Sequence, residues 1–284
     1  MIIYYSQGGL GNQLFQYAFA RQLAINYQTS LYLDPSWFLN MNKKETPRHL
    51  DILSFNVKPM ILGQKRRMIS SLLRRRAVTL FSPILPIKPV RERPGQAPSN
   101  VLRRVNNNSF LFGYWQSQDY FSLIRSQLLN EFTPQDRCGS SFDHLSVEMQ
   151  STNSVSLHIR RGDYVNSPFH SVCDLSYYLK ALNVIMSKVN EVRIYVFSDD
   201  VEWCRRYLSL PAPFVLIRDL VELSSPLEMY LMSKCRHHVI ANSTFSWWGA
   251  WLSTYSNKIV VAPAEWFANS PRPPYLIPSE WQLI

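Results

Sequence analysis

The sequence predicts an α/β protein with two parallel-sheet units. It opens with a strand, a glycine turn, a helix and a strand, and an alternation of strands and helices resumes after residue 153. Between the two series lies the polar stretch 135–153, which predicts a linker. The length of 284 residues suits two domains, and 46% hydrophobic with only 18% charged residues excludes a disordered chain.

The first unit is predicted over residues 1–140. Three glycines within four positions, Gly8, Gly9 and Gly11, separate its first strand from an amphipathic helix. A proline-rich loop is predicted over residues 83–98. The predicted elements are, in order, strand 2–5, helix 12–27, strand 31–33, strand 110–115 and helix 117–130.

The second unit is predicted over residues 150–284, with a C-terminal tail from residue 271. Apolar strands alternate with helices along it, which indicates a parallel sheet. The predicted elements are, in order, strand 155–159, helix 176–189, strand 192–197, helix 201–208, strand 214–217, helix 226–234, strand 238–240, helix 245–252 and strand 258–261.

One segment carries the whole charge excess of the chain. The formal net charge is +10, and residues 61–104 contain eleven basic residues against the single acidic residue Glu92. Apolar residues are interleaved with these charges as far as residue 81, which is typical of a cationic amphipathic helix on an anionic membrane surface. A solvated helical face followed by the loop 83–98 is the alternative. Nucleic-acid binding is disfavoured, because the segment has no reader module and the rest of the chain is neutral.

The expected location is the cytoplasm, with peripheral contact on the inner face of the cytoplasmic membrane through residues 61–104. No stretch approaches about 18 consecutive apolar residues, and the N-terminus has no basic cap or cleavage site typical of a secretion signal. The four cysteines form no CxxC pair and predict small buried thiols rather than a metal site.

The glycine turn after the first strand is a candidate anion site. Glycine lets the backbone approach a ligand, and a helix N-terminus presents unpaired N–H groups. The spacing is not GxGxxG, so the dinucleotide fingerprint is absent, and a plain tight turn explains the glycines equally well.

The stronger candidate is the segment HIRRGDY, residues 158–164, which follows the strand 155–159. Ligands of open parallel sheets bind at the carboxyl ends of the strands. Arg160 and Arg161 offer planar forks that match phosphate oxygens and cannot lose their charge. A surface arginine–aspartate pair is the alternative, but the predicted strand that leads directly into the segment favours a functional role.

Two further polar clusters follow predicted strands. Residues 198–200, Ser-Asp-Asp, could accept hydrogen bonds from a ribose or a guanine edge, or could cap the next helix. Residues 242–244, Asn-Ser-Thr, stand at a helix start and could hold a phosphate, although ordinary capping explains one hydroxyl. With HIRRGDY these clusters indicate one bound nucleotide or nucleotide sugar.

Three blocks of the sequence resemble the α-1,2-fucosyltransferases of glycosyltransferase family 11. They are GGLGNQLFQYA at residues 8–18, HIRRGDY at 158–164 and NSTFSWWG at 242–249, in the family's order; residues 56–108 are covered poorly. The resemblance implies a GT-B architecture of the α/β class, with two Rossmann-like domains facing across a cleft. The first would bind the acceptor, and the second would supply most donor contacts.

The resemblance also implies the reaction, an inverting, metal-independent transfer of L-fucose from GDP-β-L-fucose to the 2-hydroxyl of a galactose-type residue. The acceptor would be a glycan or lipid-linked oligosaccharide of O-antigen assembly. No cofactor is expected, and the partners would be GDP-fucose and a galactoside-containing glycan, with no nucleic acid. A fucosyltransferase of other linkage or acceptor, and a basic membrane-surface or nucleic-acid-binding module, are the alternatives.

The departing diphosphate needs fixed cations if no metal is present. We assign Arg160 to it, with Arg161 contributing or pairing locally with Asp163. Asp163 is the first candidate for the base, although the departing phosphate could itself take the proton. The resemblance places His158 and Asp199 near the guanine or ribose, and lets Asn12 reach in from the first domain. The predicted catalytic residues are Arg160, Asp163 and Asn12, and the predicted donor-binding residues are His158, Arg160, Arg161, Ser198, Asp199, Asn242, Ser243, Thr244, Gly9 and Gly11.

Overall fold

The structure is a computed structural model that describes residues 1–40, 47–63, 87–136, 139–165, 167–170 and 173–284. It divides into two compact units. The first comprises Met1–Thr133 and Pro273–Leu276, and the second comprises Pro134–Arg272 and Ile277–Ile284. Four residues of the C-terminal tail therefore belong to the first unit, whereas the sequence analysis placed the whole tail in the second.

The first unit contains a five-stranded parallel sheet in the order β3-β2-β1-β5-β4. The central strand β1 is fully buried, and so is most of the helix that follows it. The strands are β1 Ile2–Tyr5, β2 Leu31–Asp34, β3 Met60–Ile61, β4 Lys88–Arg91 and β5 Ser109–Phe112. The helices are α1 Leu10–Asn26, α2 Ser36–Leu39, α3 Pro98–Leu102 and α4 Arg125–Glu131, with 3-10 turns at Asp51–Ser54, Gln118–Tyr120 and Ser122–Ile124.

Two predictions for the first unit were wrong. The helix predicted over residues 117–130 is two 3-10 turns followed by α4, because Phe121 leaves helical geometry with φ of −147° and packs, fully buried, 6.0 Å from the ring of Phe15. The loop predicted over residues 83–98 contains β4, and Pro89 is tolerated there because β4 is an edge strand. Residues 64–86, which carry most of the predicted amphipathic helix, lie outside the described ranges.

The second unit contains a six-stranded parallel sheet in the order β11-β10-β9-β6-β7-β8. The strands are β6 Ser154–Ile159, β7 Arg193–Ser198, β8 Phe214–Leu216, β9 His237–Val239, β10 Val260–Ala262 and β11 Gln282–Leu283. The helices are α5 Ser140–Ser151, α6 Leu175–Met186, α7 Val201–Tyr207, α8 Ile217–Leu220, α9 Ser225–Met232 and α10 Thr244–Leu252.

Helices cover both faces of this sheet. Along β7, Ile194 and Val196 point into the core shared with α6 and α7, whereas Tyr195 and Phe197 point into the core shared with α5 and α9. Successive strand residues face opposite sides, so a strand between two helical layers is buried along nearly all of its length. The polar loops at the strand ends are thereby left to form the site.

The linker predicted over residues 135–153 was wrong, because most of it forms α5. Phe142, Leu145 and Met149 recur at helical spacing and are buried against the sheet, whereas the polar residues between them face solvent. The helix was missed because only three apolar residues form its buried face, and the polar residues around them dominate the composition. The boundary between the units falls earlier, at Thr133.

Within the described ranges, no helix combines the length and apolar character needed to cross a membrane. The same residues contain no group of three or more His, Cys, Asp or Glu side chains placed to hold a metal ion. Cys173, Cys204 and Cys235 are free thiols; the last two are buried, and Cys173 is partly buried.

Candidate active site

The candidate site lies in the second unit, at the point where the strand order reverses. From β6 the chain passes to β7 and β8 on one side and then returns to β9 on the other. The loops after β6 and β9 therefore diverge and leave a crevice at the carboxyl edge, which is where open parallel sheets bind ligands. A solvent-open pocket of about 90 Å³ occupies this position, lined by Arg160, Arg161, Tyr164, Val165, His170, Cys173 and Asn242.

Two carboxylates hold the Arg160 guanidinium. Its Nη2 donates to Oδ1 of Asp163 at 2.6 Å, and its Nη1 lies 2.9 Å from Oδ2 of Asp199. Burial opposes the charge, but Asp199 and Asp163 outweigh it and raise the pKa of Arg160. A permanently charged, oriented fork is therefore built into the pocket.

Arg161 does not pair with Asp163, contrary to one of the two roles foreseen for it. Its backbone N–H donates to Oδ1 of Asp199 at 2.8 Å, and its Nε donates to Oδ2 of Asp200 at 3.1 Å. The guanidinium carbon stands 4.0 Å from the ring centre of Trp203, a cation–π contact. Both carboxylates after β7 thus hold the two arginines.

In the cluster after β7, Ser198 and Asp200 also make local hydrogen bonds that stabilise the loop and the start of α7. Asp200 caps α7 by accepting from the backbone N–H of Trp203 at 3.1 Å, and Ser198 Oγ accepts from the N–H of Asp200 at 3.0 Å. A Cβ on Gly162 would lie 2.6 Å from Oδ2 of Asp199, so glycine permits this close approach. Ser198 and Asp199 adjoin the arginines, and their contact with a nucleoside stays a prediction.

His158 is buried on the opposite face of β6 from the apolar residues on either side of it. Its ring lies 5.6 Å from that of Phe245, and its Nδ1 has no hydrogen-bond partner among the described residues. Burial and, to a smaller extent, Arg160 lower the pKa of His158 to about 3, although Asp199 opposes the shift. The imidazole is therefore neutral at physiological pH and has an unused polar atom.

The segment after β9 closes the pocket. Asn242 donates from Nδ2 to the carbonyl oxygens of His170 at 2.9 Å and Trp266 at 3.0 Å. Ser243 caps α10 by accepting from the N–H of Phe245 at 3.3 Å, and Thr244 is the first residue of that helix. Asn242 thus holds the pocket loop, while the start of α10 supplies the predicted hydroxyls.

Two titratable residues that the sequence did not single out are coupled electrostatically to this site. Glu228 on α9 is buried and lies 3.1 Å from Arg218; burial raises its pKa, and Arg218 lowers it. Asp199 raises that pKa and Arg160 lowers it, both by smaller amounts than burial and Arg218. His170 lines the pocket itself. A lone carboxylate in the apolar helix 225–232 was the available signal for Glu228.

The glycine turn connects β1 to α1 and so lies at the carboxyl end of β1 in the first unit. Gly8 has φ of +79°, and a Cβ there would lie 2.7 Å from Nδ2 of Asn12, so only glycine fits. Asn12 accepts from Nε2 of Gln116 at 2.8 Å, which ties the turn to the segment after β5. Gly9 is the N-cap of α1, and Gly11 lies in its first turn. A Cβ on Gly9 would meet nothing closer than 3.9 Å.

Known proteins are similar to this chain in sequence and in fold. The model of "Glycosyl transferase family 11" matches residues 100–275. The chain is 36% identical to the O-antigen biosynthesis glycosyltransferase WbnK of Escherichia coli, covering 93% of this chain and 94% of the relative. It is 34% identical to an α-1,2-colitosyltransferase of Escherichia coli, covering 92% and 90% respectively.

A solved structure shows the fold class. NodZ α-1,6-fucosyltransferase, in crystals soaked with GDP-fucose, superposes with a TM-score of 0.52 at 13% identity, covering 88% of this chain and 92% of NodZ. The GT-B class predicted from the sequence is confirmed, with one parallel α/β sheet in each unit. The chain belongs to glycosyl transferase family 11 and is a glycosyltransferase.

Proposed function

We propose that this enzyme transfers L-fucose, with inversion, from GDP-β-L-fucose to the 2-hydroxyl of a galactose-type residue of a glycan or lipid-linked oligosaccharide, in O-antigen assembly. Family membership and the names of the two Escherichia coli relatives support the proposal. The observation that carries it is the pair of arginines held by carboxylates at the switch point of the second unit.

Breaking the bond between fucose and phosphate leaves negative charge on the β-phosphate. In this proposal Arg160 neutralises that charge with the guanidinium N–H groups that do not bind its two carboxylates. The N-terminus of α10 at Thr244 binds the phosphates from the other side. Because Asp163 accepts a hydrogen bond from Arg160, it serves in this proposal to orient the Arg160 guanidinium rather than as the base.

The guanine would be recognised by the buried polar groups beside the arginines. A guanine edge presents N1–H and an exocyclic amine as donors, which suit the carboxylate of Glu228. The neutral His158, whose Nδ1 has no hydrogen-bond partner among the described residues, supplies a further acceptor or donor. Among the described residues, His158 Nδ1 has no other hydrogen-bond partner, whereas Glu228 is already paired with Arg218.

The test is incubation of the purified enzyme with GDP-fucose and a panel of galactosides, with EDTA present. We expect release of GDP and a product whose linkage, by NMR or methylation analysis, is α-1,2. Loss of turnover on chelation, or equal use of GDP-mannose, would contradict the proposal. A product with a different linkage would support GDP-fucose as the donor but contradict transfer to the 2-hydroxyl.

GDP-colitose is a second candidate donor, because one relative that covers almost the whole chain is an α-1,2-colitosyltransferase. Colitose is fucose without the 3-hydroxyl, so the same diphosphate contacts would serve both donors. The ratio of kcat/KM for the two donors decides between them. If kcat/KM for GDP-colitose exceeded that for GDP-fucose more than tenfold, colitose and not fucose would be the sugar transferred.

We also propose that residues 61–104 contact an anionic membrane surface. Two of the basic side chains are partly used within the first unit: Arg91 lies over Phe112 at 4.8 Å, and Arg104 donates to Gln96 at 2.9 Å. Co-sedimentation with phosphatidylglycerol vesicles, but not with phosphatidylcholine vesicles, is expected. Binding that Arg160→Ala weakens would contradict this assignment, because it would trace to the donor site.

A further inference from the structure

The carboxylates around the pocket are committed to the arginines. Asp163 and Asp199 both hold Arg160, and Asp200 holds Arg161 while capping α7. A carboxylate paired with a guanidinium is a weak base, because protonation would cost it the ion pair. Transfer to a hydroxyl nevertheless releases a proton, and a second group in the same pocket is placed to take it.

That group is His170. Its Nδ1 lies 3.0 Å from Oγ of Ser167, and its ring stacks on Tyr164 at 4.6 Å with an angle of 21° between the planes. The ring of Phe267 contacts it edge-on at 5.8 Å, and Asn242 holds its backbone carbonyl at 2.9 Å. In the tautomer whose Nδ1–H donates to Ser167, Nε2 keeps its lone pair, and no described residue hydrogen-bonds to it.

We propose that His170 is the catalytic base that accepts the proton of the acceptor hydroxyl. The inference rests on the proposed function. The acceptor oxygen forms its bond to C1 of fucose as the bond from C1 to the β-phosphate oxygen breaks, and the electron pair of the broken bond leaves with GDP. The hydroxyl proton passes to Nε2, and the resulting imidazolium releases it to water.

The charges that face His170 keep it neutral before the reaction. Burial lowers its pKa; Asp163 raises that pKa, and Arg160 lowers it again, with a net fall from the ordinary value of 6.5. The pocket also contains the cation of Arg161, while burial keeps the thiol of Cys173 neutral by raising its pKa to about 12. A base with a pKa below 6.5 is unprotonated at neutral pH.

His170→Gln keeps a hydrogen-bonding side chain but cannot accept the proton. We expect kcat to fall by about 100-fold or more, with the affinity for GDP unchanged within about twofold. The wild-type enzyme should lose activity on acidification with an apparent pKa below 6.5, and the variant should lack this acid limb. Imidazole in the buffer should restore part of the activity of His170→Ala.

The matched control is His144→Gln, because His144 is exposed on α5 and outside the pocket. It should leave both the rate and the acid limb unchanged. Retention of the acid limb in His170→Gln, a rate within about fivefold of wild type, or a matching loss of GDP affinity would each overturn the inference. Failure of the proposed function would appear instead in the wild-type enzyme, as no GDP release from GDP-fucose with any galactoside.

Discussion

Replacing Arg160 with alanine should impair catalysis far more than folding. Its side chain is 21% exposed, and its partners Asp163 and Asp199 are 28% and 22% exposed. Solvent-accessible ion pairs contribute roughly 0.2–1 kcal/mol each, so the free energy of unfolding should fall by about 2 kcal/mol at most. Domains are stable by about 5–15 kcal/mol, and the variant should fold with Tm lowered by roughly 4–8 °C.

The loss of catalysis should exceed the loss of stability, because Arg160→Ala removes a positive charge at the position where the leaving diphosphate gains negative charge. Removing one preorganised donor costs about 2.7–4 kcal/mol of transition-state stabilisation. At 1.36 kcal/mol for each factor of ten, kcat should fall by about 100- to 1000-fold. Arg160→Lys should recover little, because an ammonium cannot reproduce a fork held by two carboxylates.

The assay is GDP release from GDP-fucose with a galactoside acceptor, beside thermal unfolding followed by circular dichroism. Arg205→Ala is the matched control, because Arg205 also bridges two carboxylates, Glu202 and Asp219, but lies outside the pocket. It should keep full activity. A folded Arg160→Ala variant with kcat within about fivefold of wild type would refute the role of this guanidinium in catalysis.

Three further substitutions test the surroundings of this arginine. Gly162→Ala would place a Cβ 2.6 Å from Oδ2 of Asp199 and displace that carboxylate, so kcat should fall about tenfold in the GDP-release assay; an unchanged kcat would mean that the contact is dispensable. Glu228→Gln should weaken GDP binding about tenfold by calorimetry and leave the weaker binding of UDP unchanged, since the guanine edge loses a charged acceptor; equal losses for both nucleotides would contradict guanine recognition. His158 is neutral when folded, with its pKa lowered to about 3, but ionises near 6.5 when unfolded, so its contribution to stability is present above pH 6.5 and is lost as the pH falls. Between pH 7 and pH 5 the urea-derived unfolding free energy of the wild type should therefore fall by about 2 kcal/mol more than that of His158→Gln, and parallel pH dependences would contradict this account.

The strand ends explain why so much of the site could be predicted from the sequence. HIRRGDY and the Asn-Ser-Thr segment each follow a buried strand directly, and in a parallel sheet all such segments emerge at one edge. Their neighbourhood follows from the local pattern, without knowledge of the strand order. The family resemblance then added the nucleotide sugar and the reaction.

Contacts between distant segments could not be predicted in the same way. Whether Asp163 pairs with Arg160 or with Arg161 depends on loop geometry, and the hold of Asp199 on Arg160 depends on β7 lying beside β6. Glu228 was missed because a lone carboxylate in an apolar helix does not by itself identify a site, and only the packed fold couples it electrostatically to Arg160. The same applies to His170, whose ring is oriented by Tyr164 and by a serine three residues earlier.

By itself the sequence determined the alternation of strands and helices and the chemistry available at each strand end, because burial on both faces of a parallel sheet leaves its mark residue by residue. The tertiary structure decided which of those groups are committed to each other. The sequence offered Asp163 as the first candidate for the base. The fold pairs Asp163, Asp199 and Asp200 with arginines and leaves the imidazole of His170 in the pocket, with its Nε2 unpaired among the described residues. The physical reason is that the strength of an ion pair or a base depends on distances of a few ångströms between segments far apart in the chain, and only the packed sheet sets those distances.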